Sequence, residues 1–319
     1  MTTSSGTARI VLAVPERTTV VVVTWRGAGH IAACLDALAA QERPHRTLVV
    51  DNASDDGTAR LLAGHPSRPR VVRLPRNAGY AGAMQAALPL VDTPFMAWLN
   101  DDAVPATDWL ARLEDAIGSA AAATSRLEYA DGTLQSLGVR LTPDGHGADT
   151  TAVPAFGFCG GAALLRTDVL RAVGGVPAGF FCYYEDTDTA WRIRLAGHAI
   201  VAVPGARVTH RHGATTRPGS RSFHRWNERN RLLTLLRCAP AGVAVREISR
   251  FAVLTALLPI RQDVPDAENF RVGLRCGVLA EVLLRLPSAL RARRAITRRS
   301  EVSRRSVWRT WATPVSREG

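Results

Sequence analysis

The chain has no lysine. All 40 of its basic side chains are arginine, set against 28 acids, for a net charge of +12 over 319 residues. So exclusive a choice, with alanine and glycine abundant, reads as a GC-rich coding bias and weakens any inference from charge alone. Cysteine is scarce and odd in number: Cys34, Cys159, Cys182, Cys238 and Cys276, with no CxxC pair. That argues against a metal finger and a disulfide scaffold and suits a reducing compartment. Long apolar runs are missing too. Ile10–Val14 is too short for a signal peptide and has no basic segment before it, and Phe251–Ile260 is too short to span a bilayer. A cytoplasmic protein is expected, soluble or peripheral on the inner face of the cell membrane. No GxGxxG follows the first apolar run and no GxxxxGK[ST] occurs, which argues against a dinucleotide cofactor and a P-loop.

What is present is an alternation of strands and helices. "TVVVVT" (19–24), "TLVVDN" (47–52), "RVVRL" (70–74) and "FMAWLN" (95–100) are β-branched or apolar runs suited to strands covered on both faces. Helical patterns separate them, near 28–40, after a cap at Asp55, and over 81–90. This predicts an α/β fold with a doubly wound, mostly parallel, Rossmann-like sheet. Beyond residue 120 the pattern changes. "YADGTLQ" signals a hairpin, "GFCGGAALLR" (157–166) a further strand, Thr167 a helix cap, and "AIVAVPGARVTH" a last strand. From Phe223 the pattern is helical and rich in arginine.

Acids and amides gather where strands end, the edge at which open α/β sheets bind ligands. Thr24, Trp25 and Arg26 follow the first strand; a Trp can pack on a flat ring and an Arg can meet phosphate. Asp51, Asn52 and Ser54 follow the second, and Asn77 and Gly79 lie in "RNAGYAGA", where glycine admits a close backbone approach. Each is equally readable as a capped turn. Asn100-Asp101-Asp102 ends the fourth strand, where two adjacent carboxylates need a counter-charge. A divalent ion shared with substrate phosphates supplies it economically, Mg²⁺ or Mn²⁺ being suited to few carboxylates. "YYEDTDTAW" places Glu185, Asp186 and Asp188 at a helix start, where a carboxylate is suited to general-base work; helix capping, with Asp188 facing water, is the alternative. His210, and less so His212, follow the last strand as candidate metal ligands.

Taken in order, "VVVVTW", "VVDNASDDGT", "RNAGYAGA", "WLNDDA", "GFCGGAALLR", "YYEDTDTAWRIRLAGH" and "VTHRHG" resemble glycosyltransferase family 2, in particular bacterial rhamnosyl- and galactofuranosyl-type enzymes. The resemblance covers roughly residues 18–215. It implies a GT-A fold and inverting transfer from a nucleoside-diphosphate sugar, UDP- or dTDP-linked, with dTDP-rhamnose among the candidates. The acceptor is a glycan, a lipid-linked molecule or a small molecule, in cell-surface polysaccharide, glycolipid or natural-product glycan synthesis. Thr24 and Asp51 match positions that hold the nucleoside; Asn77 and Gly79 match the junction near the diphosphate. Asp102 matches the metal-binding aspartate of the DxD position, with Asn100 departing from a carboxylate there. Gly160 and Gly161 match an acceptor-side backbone segment, with Trp191 grouped to that side. Asp186 matches the catalytic base, beside Glu185, and His210 a metal-associated histidine.

The chain is expected to divide into a flexible N-terminus (1–17), a catalytic domain (18–222, with halves 18–120 and 121–222) and a helical, Arg-rich region (223–319). In the last, Arg225, Arg229 and Arg231 are candidates for diphosphate contact or for a solvated face. The segment 272–299 starts amphipathic and turns basic after Pro287, which suits an anionic membrane surface or a basic helix packed on the domain. A nucleotidyltransferase is the rival enzyme reading, but the Gly-rich basic signature expected near its first strand is absent. An inactive sugar-nucleotide-binding relative is another alternative. A nucleic-acid partner is not expected: no aromatic-basic recognition motif occurs, and nine arginines cluster between Arg285 and Arg309.

Overall fold

The computed structural model describes residues 15–211 and 219–312; His212 and the Ile10–Val14 run lie outside them. The strands are β1 (Thr18–Thr24), β2 (Arg46–Asp51), β3 (Arg70–Arg73), β4 (Phe95–Asn100), β5 (Ala103–Pro105), β6 (Ala122–Glu128), β7 (Leu134–Ser136), β8 (Val139–Leu141), β9 (Gly147–Asp149), β10 (Ala162–Arg166) and β11 (Ile200–His210). The helices are α1 (Ile31–Ala39), α2 (Thr58–Gly64), α3 (Gly79–Ala87), α4 (Trp109–Ala116), α5 (Thr167–Ala172), α6 (Glu185–Leu195), α7 (Arg221–Cys238), α8 (Ala241–Leu257), α9 (Val272–Arg299) and α10 (Arg304–Trp311).

The main sheet runs β3-β2-β1-β4-β10-β6-β11-β5, with β7 beside β6. Its first four strands are parallel, as are β6 and β11; β10 joins the two halves antiparallel to both its neighbours. All seven residues of β1 are buried, and its side chains alternate between two apolar clusters. Val20 and Val22 meet Ile31, Leu35, Trp109 and Leu113 of α1 and α4. Val21 and Val23 join the cluster that holds Met84, Trp191, Leu233, Val278 and Val307 of α3, α6, α7, α9 and α10. An uninterrupted run of valines is therefore what a sheet covered on both faces requires. The C-terminal helices share one core with the sheet.

Local boundaries shift from those the sequence suggested. Asp55 does not cap α2: Gly57 at φ 95° is the cap position and no side chain caps the helix, while Asp56 Oδ1 takes the amide and hydroxyl of Thr58 (3.2 and 2.5 Å). Thr167 is the first residue of α5 rather than its cap, and its buried hydroxyl has no hydrogen-bond partner. The strand over 157–166 is ordered as β10 only from Ala162, since the preceding glycines leave the sheet to line the site.

Candidate active site

A cavity of about 410 Å³ opens at the carboxyl ends of β1, β2 and β4 and is closed on the far side by the start of α6. Trp25, Asn52, Asn77, Asn100, Asp101 and Asp102 line one half; Gly160, Gly161, Glu185 and Asp186 line the other, with His210 also on the wall. Parallel strands end on one edge, so side chains far apart in sequence meet there.

On the first half, two amides knit the β2 end to α3. Asn52 Nδ2 donates to Asn77 Oδ1 at 3.0 Å, and Asn52 Oδ1 accepts from the Ala78 amide at 2.8 Å. Gly79, at φ 72°, is needed here, but the close approach is internal. A Cβ there would lie 2.1 Å from the Phe181 carbonyl oxygen, which accepts from the Ala81 amide. Four expected residues do not reach the cavity wall. Asp51 is buried, with Oδ2 on Arg73 at 2.6 Å and Oδ1 accepting from the Ser54 amide at 2.9 Å. The Ser54 hydroxyl accepts from the Arg26 amide, and Arg26 itself points outward, bidentate on Asp55 and stacked over Trp25. Thr24 Oγ1 is buried without a hydrogen-bond partner, as is Asp101 Oδ2, which lies 3.1 Å from His30 Nε2. The sequence reading missed His30 and Arg73; neither lies in a motif, and only the fold brings them to the two aspartates.

Asp102 is 7% exposed, and its Oδ1 lies 3.2 Å from His210 Nε2. Burial opposes ionisation at Asp102, but the hydrogen bond and charge of His210, with the charge of His30, outweigh it and hold the carboxyl below its ordinary value. His210 Nδ1 lies 3.1 Å from Gln135 Oε1, an oxygen that only accepts, so the proton belongs on Nδ1. Nε2 faces Asp102 Oδ1 and also lies 3.1 Å from Asn100 Nδ2. One carboxylate oxygen and one imidazole nitrogen thus converge, a donor set that fits a divalent cation and leaves positions for phosphate oxygens. Among the described residues no cluster of three His, Cys, Asp or Glu forms a closed metal site.

On the opposite half, Asp186 Oδ2 accepts from the Gly160 amide at 3.0 Å and Oδ1 from the Thr187 amide. Tyr80 donates to the Gly160 carbonyl at 2.7 Å and holds this loop from α3. Burial raises the Asp186 carboxyl above its ordinary value, against these hydrogen bonds. Glu185 is 7% exposed, and its Oε2 has no hydrogen-bond partner; burial and the charge of Asp186 push it up to about 8. Asp188 does not face water. It is fully buried, gripped by Arg192 at 2.7 Å and Arg237 at 2.6 Å.

Trp191 is a correction. It is fully buried in the core, stacked on Trp308 and edge-on to Phe156, because α7 and α10 cover the helix face that would otherwise look outward. Arg225 and Arg229 bind Glu281, and Arg231 binds Glu228; none lines the cavity. From that helix the wall takes Phe223, Trp226 and Asn227 instead, with Trp226 packed 4.8 Å from Phe181.

Residues 19–174 match the family model described as glycosyl transferase family 2. The chain carries a family 2 glycosyltransferase domain. It is 26% identical over 235 residues to the N-acetylglucosaminyl-diphospho-decaprenol L-rhamnosyltransferase of Mycobacterium tuberculosis, covering 62% of this chain and 76% of that one. Among solved structures, the chain resembles the mannosyltransferase PcManGT from Pyrobaculum calidifontis in complex with GDP-Man and Mn²⁺ (TM-score 0.53, 18% identity, 93% and 88% covered). It also resembles S. aureus TarS with UDP-GlcNAc (0.55, 14%, 92% and 91%). A third likeness is to GalNAc-T7 with UDP, GalNAc and Mn²⁺ (0.61, 13%), of which the chain spans 57% of the length against 86% of its own. At such identities these structures establish the GT-A fold.

Proposed function

We propose that the domain transfers a sugar from a nucleoside-diphosphate sugar to an acceptor hydroxyl, with inversion at the anomeric carbon. The observation that carries this is the division of the cavity: a cation-ready pair, Asp102 and His210, faces a buried carboxylate, Asp186, held by a backbone amide. The relative's name favours a deoxyhexose donor such as dTDP-rhamnose and a lipid-linked diphosphate acceptor.

Asp102 and His210 would hold Mg²⁺ or Mn²⁺, which when bound stabilises the charge of a departing diphosphate. Asn52 and Asn77 fix the backbone at the α3 start beside that diphosphate, and Asp101, oriented by His30, faces the ribose or sugar. Asp186 takes the proton of the acceptor hydroxyl as its oxygen attacks the anomeric carbon. Its raised proton affinity makes it a stronger base than an exposed aspartate, and the Gly160 amide keeps it aimed. Glu185 retains its own proton at neutral pH and so adds no second negative charge. The Thr24-Trp25 turn, with Asp51 and Ser54 behind it, supports the nucleoside side, and the Phe181–Trp226 pair walls the acceptor side.

A thermal-shift screen of UDP, dTDP, GDP and their sugars with and without Mn²⁺ tests the reading. Stabilisation that requires both nucleotide and metal, and that disappears in Asp102→Ala, is expected. Absence of any metal-dependent shift across the screen would overturn it.

We further propose that the protein works at an anionic membrane surface. On α9 the outward residues Leu283 and Leu284 are 67% and 80% exposed, and the exposed Arg291, Arg294 and Arg298 follow on the same helix. Among the described residues no helix is long and apolar enough to cross a membrane, so this face would lie along the surface.

A further inference from the structure

The segment that delivers the two acids is bent against its own preference. Phe181, Tyr183 and Tyr184 hold φ near 69°, 70° and 69°, the left-handed region that bulky residues avoid, immediately before α6 begins. Such a conformation persists only where its surroundings over-determine it.

Helix α7 supplies those surroundings. Asn230 is fully buried, and its amide nitrogen lies 3.0 Å from the Phe180 carbonyl, 2.8 Å from that of Cys182 and 2.8 Å from that of Tyr183. Its Oδ1 accepts from Arg229 Nε at 2.9 Å, which orients the amide with nitrogen toward the loop. Arg229 donates to the Phe180 carbonyl as well. Two turns further along α7, Arg237 grips Asp188 within α6. The α6 ladder begins with the Tyr184 carbonyl, which accepts from the Asp188 amide, and the Phe181 carbonyl takes the Ala81 amide of α3; the carbonyls of Cys182 and Tyr183, and that of Phe180, find side-chain donors on α7.

We propose that Asn230 is a positioning residue for sugar transfer: it holds the run of carbonyls whose conformation sets Asp186 against the Gly160 amide. This rests on the proposed function of the cavity. Asn230 is not on the cavity wall and acts only through the loop. The helices beyond the sheet are then part of the catalytic apparatus rather than an appendage.

The test uses the full chain with Asn230→Ala, and Leu233→Ala as a control for lost α7 packing, since Leu233 is buried in the shared core. Two quantities are read: release of nucleoside diphosphate from a panel of UDP- and dTDP-sugars with Mn²⁺, and hydrogen–deuterium exchange of amides 181–187. For Asn230→Ala, kcat should fall on the order of 100-fold, the cost of a displacement near 1 Å, with donor KM changed less than about threefold. Exchange in 181–187 should quicken in that variant alone. The proposal is overturned if Asn230→Ala keeps kcat within about threefold of wild type, or if Leu233→Ala loses as much. Should Asn230→Ala fail to fold, Asn230→Ser, which keeps a shorter donor, carries the same comparison. If the wild type releases nothing from the panel, the functional reading fails; exchange then decides the clamp, and unchanged exchange overturns it.

Discussion

Glu185 and Asp186 are neighbours in the chain, and burial raises both carboxyls, yet they meet different partners. Asp186 has a backbone donor on each oxygen, whereas Glu185 Oε2 is buried with none. Asp186→Asn should keep nucleotide-dependent thermal stabilisation while lowering turnover by roughly 10²–10⁴-fold, the range for a removed general base; a variant near wild-type rate would remove Asp186 from that role. Because the Asp186 carboxyl is raised by burial, the acid limb of kcat/KM should lie above an ordinary aspartate's pKa. Glu185 predicts a stability effect. Its ordinary value is 4.5 and its folded value about 8. Between them the unfolded chain releases a proton that the folded chain keeps, so stability falls as pH rises through that window. The Tm of the wild type should therefore drop relative to Glu185→Gln from pH 4.5 to about 8; parallel curves would refute a buried neutral acid.

Helix α6 shows how an element can look solvated in sequence and be buried in space. Nine of its eleven residues are buried, although it carries three acids and two arginines in "EDTDTAWRIRL". The charges neutralise one another across elements: Asp188 meets Arg192 one turn on and Arg237 of α7, and burial is outweighed by both guanidinium groups in keeping it ionised. Removing the carboxylate strands two cations in the interior. Asp188→Ala should cost about 3–5 kcal/mol in denaturant unfolding, the range for a broken buried pair; a loss under about 1 kcal/mol, the ordinary value of a surface pair, would contradict that burial. Periodicity alone cannot reveal this, because it registers the helix but not which helices cover it. Trp191 was misassigned for the same reason. Its burial comes from α10, more than a hundred residues away in the chain.

Over the whole molecule, charge and apolar exposure concentrate on the C-terminal helices. If α9 lies on an anionic bilayer, Leu283→Asp/Leu284→Asp should lose flotation with phosphatidylglycerol liposomes while the metal-dependent nucleotide shift stays intact. Equal flotation of variant and wild type would rule out that face. The alternation of strands and helices, and the acids at the end of β4 and the start of α6, were legible in the sequence, because apolar periodicity and strand-end chemistry are local. So was the nearness of Asp102 to the site. What its partners would be was not. His30 and Gln135 carry no motif, and they become neighbours of Asp101 and of His210 only through sheet order.

The sequence by itself determined an α/β sheet with a family 2 motif order, since β-branched runs and acids at strand ends write those features locally. Only the tertiary structure decided which polar residues face the cavity and which hold the scaffold. Asp51 and Asp188 are taken up by internal partners, while Asn230, a polar residue in a helical run, reaches the loop before the two acids. The physical reason is burial: a charged or amide group removed from water must find its partner nearby, and what is nearby is set by packing between elements distant in the chain.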